Sequence, residues 1–232
     1  MIMAGDADQS LYTVASPYAR AGLDISGRTR ILRTNFRNSR PINAVGEAFR
    51  ARDSAHPPSA GERPWAFREG PLPELYEDAD AEVLLSLLLR KLRLFLDELG
   101  YAAESLCILA PHRTEIARLQ AMLSEAGLAT AVVPDPDFSF EQEGAVRIST
   151  LHSAKGLDFP VVLLYLPYLH RPSQYDDAAT ERMLRNLLYV GVTRAMENLN
   201  VFMNPEADPL LGDLATSLRA VREEGLPTDG GA

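Results

Sequence analysis

The residues with the most chemistry per unit length lie between Arg147 and Pro160, in the order R-I-S-T-L-H-S-A-K-G-L-D-F-P. Two hydroxyls (Thr150, Ser153), an imidazole (His152) and an ammonium (Lys155) are followed by a glycine (Gly156) and an acid (Asp158). Hydrogen-bond donors and cations around a glycine suit a polyanion better than an apolar core, and in open α/β sheets ligands gather at strand ends. Three other polar clusters stand out. They are Gln9 with Tyr12, the run Asn35-Phe36-Arg37, and Tyr189-Val190-Gly191-Val192-Thr193-Arg194-Ala195. Arg194 is notable because its neighbours Leu187, Leu188, Tyr189 and Val190 read as a buried helix. An arginine in such a setting needs an ion-pair or ligand partner, since burying it alone is costly.

The elements that must carry these residues alternate. Strands are expected at 30–34, 65–67, 72–76, 106–110, 129–133, 146–151, 161–166 and 199–203. Helices are expected over 41–52, 78–99, 112–126, 180–197 and 209–221, from apolar positions at helical spacing. Ser39 is the expected N-cap of the first of these, with Pro41 in its first turn. The longest helix presents Leu84, Leu87, Leu88, Leu92, Phe95, Leu96 and Leu99 on one face, the stripe of a core-packing helix. Strands alternating with helices over short connections predict an α/β domain with a mostly parallel sheet.

Composition narrows the classes. The chain has 232 residues, 46% of them hydrophobic and 24% charged, enough for a real core and unlike a disordered chain. A net charge of −9 excludes a generally basic nucleic-acid coat but leaves room for a local cationic groove. The single cysteine, Cys107, excludes an internal disulfide and sits in an apolar run, as a buried inert thiol would. No signal segment is visible at the N-terminus and no run is long and apolar enough for a membrane span, so the expected compartment is the cytoplasm. Lys91 and Lys155 are the two lysines, and neither follows a glycine. A phosphate-cradling loop of the G-x-x-x-x-G-K-[ST] type is therefore absent.

Four blocks in order resemble the later motifs of the UvrD/Rep family, the superfamily 1 DNA helicases. GDADQSLY resembles the third motif, RTNFRNS with Pro41-Ile42 the fourth, VRISTLHSAKGLDFPVVLL the fifth and LLYVGVTRAMENL the sixth. The resemblance runs from Gly5 to about Phe202 and is weakest between Arg50 and Glu104. It implies a RecA-like, three-layer α/β/α second motor domain lacking its own P-loop. It also implies boundaries: 1–24 as the end of the first motor domain, 25–222 as the second, and 223–232 as a disordered tail.

The resemblance further implies site roles. Gln9 would sense the γ-phosphate of ATP, Phe36 would stack on adenine, and Arg37 and Arg194 would contact the γ-phosphate. Asp158 stands where the family has a glutamate that contacts the ribose, and Gly156 would let the backbone approach the nucleotide. Thr150, His152 and Ser153, with Lys155, would line the backbone of single-stranded DNA, and Tyr12 would stack on a base. ATP with Mg²⁺ would be shared with a first RecA-like motor domain, supplied in cis or in trans. The family suggests 3′-to-5′ movement. Tyr12 is followed by Thr13-Val14-Ala15-Ser16 instead of the usual aromatic, arginine and Gly-Ala, and only 134–144 fills the place of the usual large insertion. The competing reading is a relict helicase half that binds nucleic acid or a protein partner without hydrolysing ATP.

Overall fold

The run Phe159–Leu166 is apolar throughout apart from Tyr165's hydroxyl, and all its residues but Pro160 are buried. A strand apolar on both faces belongs in the middle of a parallel sheet covered on both sides. The computed structural model describes residues 34–53, 65–133, 135–172 and 177–223 and places this run there. In chain order the elements are β1 (Thr34–Ser39), α1 (Arg40–Arg50), β2 (Trp65–Arg68), β3 (Glu74–Glu77), α2 (Ala81–Arg93), β4 (Leu106–Ala110) and α3 (Arg113–Glu125). Then follow β5 (Thr130–Val132), β6 (Val146–Thr150), β7 (Phe159–Leu166), α4 (Asp177–Thr193), β8 (Ala195–Met203) and α5 (Pro209–Glu223).

Six strands form one sheet in the order β3-β8-β7-β4-β6-β5, with every pairing parallel. β1 and β2 form a separate parallel pair. Alternate residues of each strand feed opposite cores, as a pleat with period two requires. Cys107 and Leu109 of β4 face the layer of α1, α4 and α5, whereas Leu106, Ile108 and Ala110 face that of α2 and α3. The result is the expected three-layer α/β/α arrangement.

Local chemistry sets the helix ends. The Asp80 carboxylate accepts from the Glu82 N–H at 2.8 Å and caps α2. Leu84, Leu88 and Leu92 along it are fully buried, each worth roughly 1.5–3 kcal/mol relative to exposure. The expected single helix over 78–99 instead changes to one π-helical turn at Leu94–Glu98. That wider turn rotates the apolar stripe, so Leu99, placed on the buried face by spacing, is 56% exposed. Ser39 precedes α1 as expected, but its side chain makes no capping bond. Its Oγ is buried without a partner, packed where a Cβ on Gly70 would stand 2.8 Å away.

Two further boundaries differ from expectation and both affect the site. Asn35-Phe36-Arg37 lies inside β1, which runs on to Ser39, while residues 30–33 of the expected strand lie outside the described residues. Arg194 lies in the turn between α4 and β8, not on the helix. The Thr193 hydroxyl folds back on the Tyr189 carbonyl at 2.9 Å, and the Phe159 N–H takes the Arg194 carbonyl at 3.0 Å. Pairing with β7 thus begins at once and ends the helix.

Candidate nucleotide and nucleic-acid site

In β1 the Asn35 Oδ1 accepts the main-chain N–H of Arg37 at 2.9 Å and of Asn38 at 3.2 Å. This Asx-type turn breaks the strand register between Asn35 and Ser39. Phe36 is left 69% exposed, so it is no core residue, and Arg37 reaches Asp158. Arg37 Nε stands 3.0 Å from Asp158 Oδ1, and Arg194 Nη1 stands 3.5 Å from the same oxygen. Arg194 is fully buried. Its Nε donates to the Val190 carbonyl at 3.2 Å and its Nη1 to the Leu157 carbonyl at 2.9 Å. Three residues from three separate sequence blocks therefore meet at one carboxylate oxygen.

The segment joining β6 to β7 supplies the other half of the site. Leu151 and Ala154 are buried in the core, whereas His152 and Lys155 face solvent. Thr150 Oγ1 accepts the Ser153 N–H at 3.1 Å and lies 3.0 Å from the Ser153 hydroxyl, which fixes the turn. Gly156 has φ +86°, a region that disfavours any side chain, with open space around its Cα. Gly191 of α4 serves differently. A Cβ there would come within 2.6 Å of Leu151 Cδ2, so this glycine lets the helix close on the β6–β7 segment.

The sheet register shows how far that segment travels. Thr150 lies level with Ala110 at the end of β4, and Val161 lies level with Leu106 at its beginning. Four residues of strand rise span about 13 Å. Residues 151–158 therefore run from the carboxyl edge of the sheet back to its amino edge. Thr150, His152 and Ser153 lie at the carboxyl edge, and Asp158 with Arg37 and Arg194 at the amino edge.

At the carboxyl edge, Thr150, His152 and Ser153 line a groove of about 450 Å³ together with His112, Arg113 and His170. The last three were not singled out from the sequence. Their signal, a His-Arg pair just after an apolar strand, becomes meaningful only once β4 is known to lie beside β6. The His112 and His170 rings pack with centroids 4.8 Å apart. Tyr168 ties the β7 exit to the start of α3, through the Glu115 carboxylate at 2.9 Å and the Thr114 hydroxyl at 3.2 Å. His152 is exposed on its outer side, and the partial loss of hydration where it meets the groove, with repulsion from His112, holds its imidazole below the usual histidine value. Lys155 is exposed and does not line the groove. Gln9 and Tyr12 lie outside the described residues.

Cys107 is buried, and desolvation pushes its thiol well above the ordinary range. Among the described residues no cluster of acids, imidazoles or thiols is arranged to hold a metal ion, and no helix is long and apolar enough to cross a membrane.

Comparison with known proteins agrees with this architecture. Residues 112–206 match the family model of the UvrD-like helicase C-terminal domain. The chain is 45% identical over 75 residues to the ATP-dependent DNA helicase PcrA of Leuconostoc citreum, covering 30% of this chain and 10% of that protein. It is 41% identical over 86 residues to DNA helicase II of Escherichia coli K12, covering 36% of this chain and 11% of that protein. The matches thus span about a tenth of these relatives' own length. A solved structure described as the C-terminal domain of a "possible DNA helicase" from Lactobacillus covers 80% of this chain and 97% of its own. It superposes with a TM-score of 0.56 at 18% identity, a likeness of fold. Residues 112–206, which carry most of the groove, the β6–β7 connection and Arg194, match the UvrD-like helicase C-terminal domain family.

Proposed function

We propose that this chain is the second motor domain of an ATP-dependent DNA translocase or helicase. In this reading the amino edge of its sheet closes over a nucleotide, and the carboxyl edge grips a single strand. The convergence of Arg37 and Arg194 on one oxygen of Asp158 carries the proposal. Two guanidiniums aimed at one anionic atom form a site for a transferring phosphoryl group, whose charge such arginines stabilise. The donor set fits the phosphate end of ATP, and on the sequence resemblance Phe36, 69% exposed, is assigned to the base and Asp158 to the ribose. Mg²⁺ and the phosphate-cradling loop are assigned to a first motor domain, in cis or in trans. Gln9 and Tyr12 keep their roles as γ-phosphate sensor and stacking ring on the sequence resemblance alone.

The groove holding Thr150, His152 and Ser153 takes the backbone of single-stranded DNA: its walls are largely apolar (Leu169, Met183, Leu187), and the Thr150 and Ser153 hydroxyls with Arg113 and the imidazoles are the groups that would meet phosphates. Residues 151–158 connect the two edges. Closure on nucleotide therefore pulls on the strand grip through a single short segment; a 3′-to-5′ direction of travel rests on the family resemblance alone.

The test is an ATPase assembled from this chain and a first motor domain taken from a PcrA relative. Single-stranded DNA should stimulate it, and Arg37→Ala or Arg194→Ala should each lower kcat by about 10³-fold or more. Full activity in both variants would refute the assignment. Oligonucleotide binding by the chain alone should weaken as salt rises, and Thr150→Val with His152→Ala should abolish it.

A further inference from the structure

One buried side chain beside the arginines has no part in the chemistry proposed above. Asn38 is 1% exposed. Its amide nitrogen donates twice, to the Thr193 carbonyl at 2.9 Å and to the Ala195 carbonyl at 2.6 Å. Those two carbonyls flank Arg194. The Asn38 amide oxygen accepts from Asn35 Nδ2 at 2.9 Å, and the same nitrogen reaches Asn43 Oδ1 on α1 at 2.9 Å. The other end of the Asn35 amide holds the main-chain N–H groups of Arg37 and Asn38.

We propose that Asn38 is a positioning residue for the arginine pair, fixing where Arg194 stands relative to Arg37. The need for such a brace follows from the local fold. Arg194 occupies a one-residue turn between a helix that has just ended and a strand that has just begun. The Thr193 carbonyl is one of the helix-terminal acceptors that the helix itself cannot satisfy. Arg37 comes from β1, which pairs with β2 and not with the main sheet, so sheet hydrogen bonding does not set its distance from Arg194. Asn38 supplies that link through one planar group. An amide offers two donors on one nitrogen and an acceptor beside it, whereas serine offers one donor and aspartate none. The two buried bonds from Asn38 to the main chain leave that end of the network little freedom, and small errors in the placement of catalytic groups are expensive in rate. The inference rests on reading Arg37 and Arg194 as phosphate-facing, but its structural half is testable without nucleotide.

The experiment follows arginine Nε–H exchange in the ¹⁵N-labelled full chain. In the parent, Arg37 Nε on Asp158 and Arg194 Nε on Val190 should both exchange slowly. Asn38→Ala should speed both by about tenfold or more while the α2 amides keep their protection, and Asn38→Ser, with one donor left, should fall between. Leu92→Ala, in the opposite core, should do the reverse. Parent-like arginine exchange in folded Asn38→Ala, or equal acceleration in Leu92→Ala, overturns the proposal. If Asn38→Ala does not fold, Asn38→Ser is judged by the same criterion. In the assembled ATPase, Asn38→Ser should lower kcat about tenfold with KM nearly unchanged, and an unchanged kcat would also overturn it. A parent that shows no ATPase at all overturns the earlier functional reading, while the exchange result still decides for or against the brace.

Discussion

Arg37 and Arg194 share a single counter-charge, since both reach Oδ1 of Asp158, at 3.0 and 3.5 Å. The carboxylate separates two guanidiniums that would otherwise repel, one of them fully buried. Asp158→Asn keeps the shape and removes the charge. The pair is partly exposed on the Asp158 side, so solvent screening limits the effect. The expected loss is about 1–2 kcal/mol of stability, between an exposed and a fully buried ion pair. Urea denaturation of the isolated chain checks it. A variant as stable as the parent would show that the main-chain carbonyls of Val190 and Leu157 suffice for Arg194.

Gly191 and Gly156 should fail for different reasons when changed to alanine. At Gly191 the new methyl meets Leu151 at 2.6 Å and Leu164 at 3.3 Å, an overpacking cost of about 1–3 kcal/mol. At Gly156 the space is open but φ is +86°, a backbone cost of about 1–2 kcal/mol for an L side chain. Leu151→Ala makes room at the first site only. A double-mutant cycle should therefore show coupling of Leu151→Ala with Gly191→Ala and none with Gly156→Ala.

Acid should weaken the fold through His152. Its folded-state value lies below the ordinary histidine value because of lost hydration first and His112 second. Between that lowered value and about 6.5, the unfolded chain binds more protons than the folded one. Stability then rises with pH through this window and is lost as pH falls through it. His152→Gln should flatten the fall in thermal midpoint between about pH 7 and pH 5.5, and an unaltered slope would place the acid sensitivity elsewhere.

Cys107 gives a probe of opening. Its thiol is buried in β4, with its titration pushed upward by desolvation. A thiol reagent at neutral pH should leave the native chain unmodified and react in urea, because the thiolate is the nucleophile and here is both scarce and covered. Fast labelling without denaturant would contradict the burial of the central strand.

The alternation of strands and helices, the core role of Leu84, Leu88 and Leu92, and the burial of Cys107 follow from local periodicity, which a pleat or a helix converts directly into a face. The identity of the polar blocks was also legible, because each block is contiguous. What the sequence could not express is adjacency. That β4 lies between β6 and β7 depends on parallel pairing across distant segments, and this pairing brings His112, Arg113 and His170 to the groove. Helix and strand boundaries shifted wherever tertiary partners competed. Arg194 left its helix because Phe159 takes its carbonyl, and Leu99 turned outward because a π turn intervenes.

The sequence by itself determined the fold class and the polar blocks proposed to meet phosphate, because residue type and spacing act locally. The tertiary structure decided that 151–158 spans the sheet from edge to edge, and that three residues from three blocks share one oxygen. Those relations are distances between segments far apart in the chain, and only packing sets them.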